Sequence, residues 1–122
     1  MKRLVISGIG KEKADRLARE AGGSEVTTMV VSDYEGVVAL SGGKADYFLG
    51  ICQSGAGGAL ALALGLLGSN KCITVSMLGK PPAPGVIEQA VKEGKVAYGM
   101  ASDHIEQVVP RLVKAIVAQP DV

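Results

Sequence analysis

The sequence is poor in aromatic residues and in excess charge of either sign. Aromatic residues make up 3% of the chain, with no Trp and a single Phe, which excludes a surface that stacks nucleic-acid bases on aromatic rings. The formal net charge is +1, and no run of basic residues occurs, so the electrostatic attraction that drives nucleic-acid binding is missing as well. We therefore expect no nucleic-acid partner.

Cysteine and histidine are also scarce, with two cysteines and one histidine. Both cysteines, Cys52 and Cys72, fall in predicted buried strands, and neither has a C-x-x-C neighbour or a histidine at metal-ligand spacing. We expect no metal, no cofactor and no disulfide. Met1-Lys2-Arg3 leads straight into a strand rather than a signal peptide, which makes the cytoplasm the expected compartment. Nucleotide fingerprints are also missing, because Gly8-Ile9-Gly10 lacks the third glycine of G-x-G-x-x-G and no Walker A sequence occurs.

What is present is a chain of 122 residues that is 48% hydrophobic and contains 17 glycines. Its length suits one domain, residues 1–122. Short apolar runs predict strands over 3–7, 25–32, 47–52, 72–77 and 95–100. Helical spacing predicts helices over 11–21, 34–40, 55–67 and 85–93, and a last helix whose capping box is Asp103 and Glu106. Alternating strands and helices predict a Rossmann-like α/β fold, a doubly wound three-layer sandwich with a five-stranded parallel sheet.

The helix predicted near residues 56–67 has no polar side chain and therefore no face suited to water. Residues 48–68 are nearly long enough to cross a membrane, but Gln53, Ser54 and six glycines in this span argue against that alternative. A helix that is apolar all round must be covered all round. We expect no membrane association and a symmetric homodimer formed through helix 56–67.

The most informative stretch is residues 47–60, which reads as a buried strand, a glycine-rich turn and the start of a helix. Such a turn directs backbone N–H groups, together with the positive end of the helix dipole, towards one small volume. This predicts a site for a small anionic metabolite at the carboxyl edge of the sheet. The predicted anion-binding residues are Ser54, Gly55, Ala56, Gly57, Gly58, Gly8, Gly10 and Lys80.

Each candidate also has a structural explanation. Cys52 is either a packed core thiol or, beside a helix N-terminus that favours its thiolate, an acid or base. His104 is either a surface histidine near a helix cap or a neutral imidazole that donates or accepts a proton. Lys80 contacts a phosphate or carboxylate, or is simply solvated. We take Cys52 and His104 as the candidate catalytic residues.

The stretch Cys52-Gln53-Ser54-Gly55-Ala56-Gly57, preceded by Gly50-Ile51, resembles the ribose-5-phosphate isomerase B and galactose-6-phosphate isomerase family. The resemblance implies a doubly wound fold, a dimer and interconversion of aldose and ketose phosphates. It also implies that Cys52 moves the proton while the turn holds the enediolate charge. The sequence departs from that family after the first strand, where Gly8-Ile9-Gly10-Lys11 replaces an Asp-His pair, and at Gln53, which replaces a glycine.

Nearly the entire chain is also similar to a small bacterial family known as a domain of unknown function, a resemblance that implies no activity. Two hypotheses for function follow. One is an isomerase-like or lyase-like enzyme acting on a phosphorylated or carboxylated metabolite through Cys52. The other is a non-catalytic binding or assembly module with the same anion site. A third, a phosphocarrier with Cys52 as the phosphorylated thiol, is weaker because such cysteines usually follow the first strand.

Overall fold

The computed structural model describes residues 1–54 and 58–120. These residues form the five strands and five helices that the sequence predicts. The strands are β1 (Lys2–Gly8), β2 (Val26–Val30), β3 (Tyr47–Cys52), β4 (Cys72–Thr74) and β5 (Ala97–Ala101). The helices are α1 (Lys11–Gly22), α2 (Asp33–Ser41), α3 (Gly58–Leu67), α4 (Val86–Lys92) and α5 (Ile105–Val117).

The strands pair in the order β2-β1-β3-β5-β4, and every pairing is parallel. Two helical layers cover this sheet, so the predicted three-layer sandwich is confirmed. In one layer α1, α4 and α5 pack on the sheet face that carries Leu4, Ile6 and Leu49. In the other layer α2 and α3 pack on the opposite face, which carries Val5 and Phe48.

The predicted fourth strand over residues 72–77 is too long. β4 ends at Thr74, although the N–H of Val75 still donates to the carbonyl of Gly99 at 2.9 Å. At the next position the side chain of Ser76 replaces the backbone, because its Oγ accepts the N–H of Ala101 at 3.0 Å. The chain then leaves the sheet in a tight turn, in which the N–H of Met77 donates to the carbonyl of Lys80.

An ion pair fastens the amino end of β1 to the residue just before β3. The Arg3 guanidinium donates to both carboxylate oxygens of Asp46, at 3.1 and 3.0 Å, and the Arg3 backbone N–H adds a third bond at 2.8 Å. These hydrogen bonds from Arg3 lower the pKa of the Asp46 carboxyl. A carboxyl with a depressed pKa adds stability above its unfolded pKa and loses it as the pH falls through the folded value.

We expect Asp46→Asn to lower the free energy of unfolding by about 1 kcal/mol near neutral pH, since the pair is partly exposed. The difference from the parent should shrink as the pH falls below about 4, because protonation then removes the same charge from the parent. Urea unfolding at several pH values measures this. Glu20→Gln, which changes an exposed carboxyl of α1, is the matched control. A difference between Asp46→Asn and the parent that stays constant with pH would contradict the prediction.

Candidate functional site

The topological switch point of the sheet lies at the carboxyl ends of β1 and β3. The two strands are neighbours, with Ser7 opposite Gly50 and Gly8 opposite Ile51. The helix after β1 packs in the layer of α5, whereas the helix after β3 packs in the layer of α2. The connections therefore leave towards opposite faces, and in open parallel sheets ligands bind in the crevice that such a divergence creates.

At the end of β1, packing explains why glycine stands at two of the predicted anion-binding positions. The φ of Gly8 is +105°, and a Cβ there would lie 1.8 Å from the carbonyl oxygen of Ile51. Gly10 caps α1 in the left-handed region, and a Cβ there would meet the Ile105 side chain at 2.8 Å. Anion binding by Gly8 and Gly10 stays a prediction, since the backbone geometry requires glycine in any case.

The two thiols differ in their surroundings. Cys52 is half-buried at the last position of β3, with its Sγ 3.7 Å from the Oγ of Ser54. Cys72 is buried at the first position of β4, and burial raises the pKa of its thiol. The burial of Cys72 fits a purely structural role for this thiol, whereas Cys52 lies half-buried at the carboxyl edge of the sheet.

The glycine-rich turn itself is described only at its two ends. Gly55, Ala56 and Gly57 lie outside the described residues, and Gly58 is the first residue of α3. The carbonyl of Ser54 accepts the N–H of Leu78 at 2.9 Å, which holds the turn after β4 against the end of β3. This contact brings the loop of Lys80, whose side chain is exposed, to the same edge. Anion binding by residues 54–58 and Lys80 remains a prediction.

His104 is buried, with 6% of its surface exposed, so its interpretation as a surface histidine is wrong. It is the last residue of the short 3₁₀ turn that follows β5, and β5 pairs with β3 so that Ala101 lies opposite Cys52. The Nδ1 of His104 lies 3.5 Å from a carboxylate oxygen of Asp103 but makes no hydrogen bond within the described residues. A buried imidazole nitrogen without a hydrogen-bond partner has lost its hydrogen bonds to water without forming one to the protein, which costs free energy.

The capping box predicted for the last helix is also wrong. A short 3₁₀ turn, Ser102–His104, delays the start of α5, so His104 becomes the residue before the helix and Asp103 lies outside it. No side chain caps α5. Glu106 instead pairs with Lys13 of α1 at 2.9 Å. The box that does form is at α2, between Ser32 and Glu35.

Ser7 and Asp33 form a hydrogen-bonded pair near this edge that the sequence did not predict. Ser7 is fully buried near the end of β1, and its hydroxyl donates to the Asp33 carboxylate at 2.7 Å. Asp33 is the first residue of α2 and is half-buried. The nearby ammonium of Lys11 donates to the carbonyl of Val31 at 3.3 Å, between β2 and α2. No local sequence pattern predicts this hydrogen bond, since 26 residues separate the two partners.

Comparison with known proteins assigns the chain to a family. The model of DUF2620, a family described as a protein of unknown function, matches residues 2–116. The chain is a DUF2620 protein. Two curated relatives are the uncharacterized proteins YhfU of Escherichia coli K12 and of Shigella flexneri. Each is 29% identical to the chain over 113 residues, which cover 93% of this chain and 97% of the relative.

Solved structures of type B ribose 5-phosphate isomerases share the fold of this DUF2620 protein. The Trypanosoma brucei enzyme superposes with a TM-score of 0.68 at 14% identity, over 98% of this chain and 87% of that one. The Giardia lamblia enzyme superposes with a TM-score of 0.62 at 16% identity, over 97% of this chain and 91% of that one. At such identities the likeness shows the fold alone. The resemblance to the ribose-5-phosphate isomerase B family is therefore confirmed for the fold.

None of the helices in the described part of the chain has the length and apolar character needed to cross a membrane. Within residues 1–54 and 58–120, no three or more His, Cys, Asp or Glu side chains gather in a group that could hold a metal ion.

Proposed function

We propose that this DUF2620 protein binds a small anionic, sugar-like metabolite at the carboxyl edge of its sheet and that Cys52 moves a proton on it. The observation that carries the proposal is the position of Cys52, a half-buried thiol at the end of β3 beside the diverging ends of β1 and β3. The shared fold of ribose 5-phosphate isomerases supports an isomerase-like reaction. A reducing cytoplasm, which keeps a thiol available, is the compartment that this function requires.

The reaction proceeds through an enediolate. The thiolate of Cys52 removes a proton from the carbon next to a carbonyl, and the electron pair of that C–H bond forms the new double bond. The carbonyl electrons move to oxygen, where the amides of residues 54–58 would hold the negative charge. Returning the proton from Cys52 to the neighbouring carbon gives the isomer, and nothing is oxidised or reduced overall. His104 would carry the proton between the two oxygens.

A second candidate is a module that binds the same anion without chemistry. The structure gives one reason to keep it. β1 ends at Gly8, and the segment Gly8-Ile9-Gly10-Lys11 contains neither the aspartate nor the histidine that the isomerase family has after its first strand. The two candidates share the site and differ in whether a carbon–hydrogen bond breaks.

Deuterium exchange distinguishes the two candidates. The protein is incubated in deuterium oxide with aldose phosphates, ketose phosphates and hydroxy acids, and proton NMR follows the hydrogen on the carbon next to the carbonyl or carboxylate. Loss of that signal is the result expected of the enzyme. Thermal stabilisation by a compound without exchange supports the binding module. A panel that gives neither exchange nor stabilisation contradicts both.

We further propose that a second copy of the chain covers α3. Leu62, Leu64 and Leu66 are 39%, 42% and 58% exposed. A groove of about 560 Å³ is lined by Leu62 and Leu66 together with Ala61 and Gly65. Side-chain charge is concentrated on α1, α4 and α5 instead, and among the described residues these helices expose no large hydrophobic side chain. An apolar patch on one layer of a small protein marks an interaction surface.

We expect Leu66→Asp to weaken self-association at least tenfold, because each partner would then bury an unpaired carboxylate. Analytical ultracentrifugation over a concentration series measures the change. Met29→Asp is the matched control, since Met29 is also exposed, at 63%, but lies on β2 away from α3. A parent that is monomeric at all concentrations, or equal losses in both variants, would contradict a dimer formed through α3.

A further inference from the structure

The two edges of the sheet are protected to different extents. β4, at one edge, has only three residues, and the exposed Lys71 comes directly before it. Short edge strands and lysines are two of the ways in which proteins prevent a sheet edge from pairing with another chain. β2, at the other edge, has five residues, Val-Thr-Thr-Met-Val, and carries no charge and no proline. β2 is therefore the edge that lacks these protections.

The free side of β2 presents a regular row of backbone hydrogen-bonding groups. Just after the strand, the N–H of Val31 donates to the carbonyl of Ile6 at 2.9 Å, so Val31 faces β1. Successive residues of a strand direct their backbone groups to opposite sides, so every second residue back from Val31 faces β1 as well. The sheet of the described residues has no strand on the other side of β2. Three residues direct their N–H and C=O groups to that side: Val26, Thr28 and Val30.

One face of β2 is also left uncovered. Val26 belongs to the core cluster beneath α1 and α5, so Thr27 and Met29, at the alternate positions, point to the opposite face of the sheet. On that face α2 packs on β1 and β3 rather than on β2. Thr27 and Met29 are accordingly exposed. A second strand can therefore lie along β2 with this face open to water.

The row of outward groups matches a second copy of itself. When two β2 strands run antiparallel with Thr28 opposite Thr28, every outward residue meets an outward residue, because Val26 then lies opposite Val30. Residues opposite one another at such positions exchange both of their N–H···O=C bonds. This register uses every donor and acceptor of the row. It also brings the two Thr28 side chains together, a favourable pair across antiparallel strands.

The charges at the two ends of β2 fit the same register. Glu25, which is exposed, comes directly before the strand. At the other end, the ammonium of Lys11 donates to the carbonyl of Val31 at 3.3 Å. With Thr28 opposite Thr28, Glu25 of one copy lies opposite Val31 of the other and beside its Lys11. Two-fold symmetry repeats this contact, so opposite charges meet at both ends of the paired strands.

We propose that two copies of the chain join through their β2 edges, antiparallel and centred on Thr28, to form one continuous sheet. This contact is separate from the interface proposed at α3, and one chain can use both. The pairing depends on backbone groups rather than on the side chain of Met29. The Met29→Asp control for α3 should therefore weaken the β2 contact only about twofold, because both carboxylates remain in water on the open face.

Disulfide trapping tests the register. Thr27 of one copy lies opposite Met29 of the other, at a position where the Cα atoms of paired strands are about 4.5 Å apart. A mixture of Thr27→Cys and Met29→Cys proteins should form the disulfide on mild oxidation, and peptide mass spectrometry identifies it. Either variant alone should give at least about tenfold less, because its two new thiols belong to residues about 8 Å apart. A mixture that links no better than the separate variants overturns the proposal.

A control excludes α3 as the cause of the link. When both proteins of the mixture also carry Leu66→Asp, the disulfide should still form, because the β2 contact does not involve α3. Loss of the link in this background would show that the α3 interface, and not the β2 edge, brings the two positions together.

Removing one backbone donor tests the hydrogen bonds themselves. Thr28→Pro deletes an N–H that faces away from β1, so the β1–β2 ladder keeps its bonds, and proline is tolerated on such an edge. In the cysteine mixture this change should lower the disulfide yield at least about tenfold, since each copy loses a hydrogen bond. Thr28→Val keeps the N–H and should preserve the yield, with urea unfolding as the check on folding. An unchanged yield in Thr28→Pro, or equal losses in both variants, contradicts pairing through the backbone.

Discussion

Replacing Gly8 with alanine is expected to lower the free energy of unfolding by at least about 3 kcal/mol, enough to unfold much of a marginally stable domain. Two effects combine at this position. The φ of +105° is one that an L side chain rarely adopts. The added Cβ would also lie 1.8 Å from the carbonyl oxygen of Ile51 and 2.7 Å from its carbon. Both atoms are backbone, so neither can move without separating β1 from β3.

The control for Gly8→Ala separates the clash from the backbone strain. Gly85 has a φ of +78°, and a Cβ there would meet nothing within 4 Å. Gly85→Ala should therefore cost only about 1 kcal/mol, the strain of a left-handed alanine. Urea unfolding of both variants beside the parent gives the two values. Losses of the same size would show that the close approach of the strands at Gly8 does not matter.

The strands were predictable from the sequence because their signal is local. Residues 47–52 are an uncharged run that Asp46 bounds on one side and a glycine-rich turn on the other, and β3 has those limits in the structure. β4 was predicted too long for a reason that no local pattern contains. The neighbouring strand β5 is bound there by a side chain instead of by the β4 backbone, since the Ser76 Oγ accepts the N–H of Ala101, 25 residues away.

The sequence predicted the edge of the sheet at which the candidate site lies, but not how the side chains at that edge pack and pair. Parallel strand order alone brings Ser7, Cys52 and His104 to one edge of the sheet. The burial of His104 follows from how the Ser102–His104 turn packs, and local propensity does not encode this packing. The bond between Ser7 and Asp33 depends on α2 starting beside β1, which is again a tertiary fact. Polar residues that are far apart in the sequence and pair only in the folded chain produce no periodic sequence pattern.

The apolar helix is the exception, because here composition alone predicted a surface property. Residues 58–67 carry no polar side chain, and α3 does expose three leucines, whereas the other four helices carry charged side chains. The hydrophobic effect makes such a surface costly in water, by about 25 cal/mol for each Å² of apolar area.

Removing the thiol in Cys52→Ala is expected to lower solvent-deuterium exchange on the substrate about a thousandfold, the typical share of a general acid or base. The substitution leaves the proposed anion site intact, so thermal stabilisation by the same ligand should persist in the variant. Cys52→Ser, which keeps the shape but is a far weaker acid, should lose nearly as much. Exchange measured by proton NMR, alongside thermal shift for each variant, provides both readouts.

Cys72→Ala is the control, because Cys72 is a buried thiol on the same layer of the core, at the far end of the sheet from the carboxyl edge. This variant should lose stability and keep the exchange rate of the parent, since the thiol it removes fills space and touches no ligand. If Cys52→Ala exchanges deuterium as fast as the parent, Cys52 is not the base. If Cys52→Ala loses ligand stabilisation together with exchange, Cys52 binds the ligand rather than acting on it, and the binding module becomes the better account of this edge.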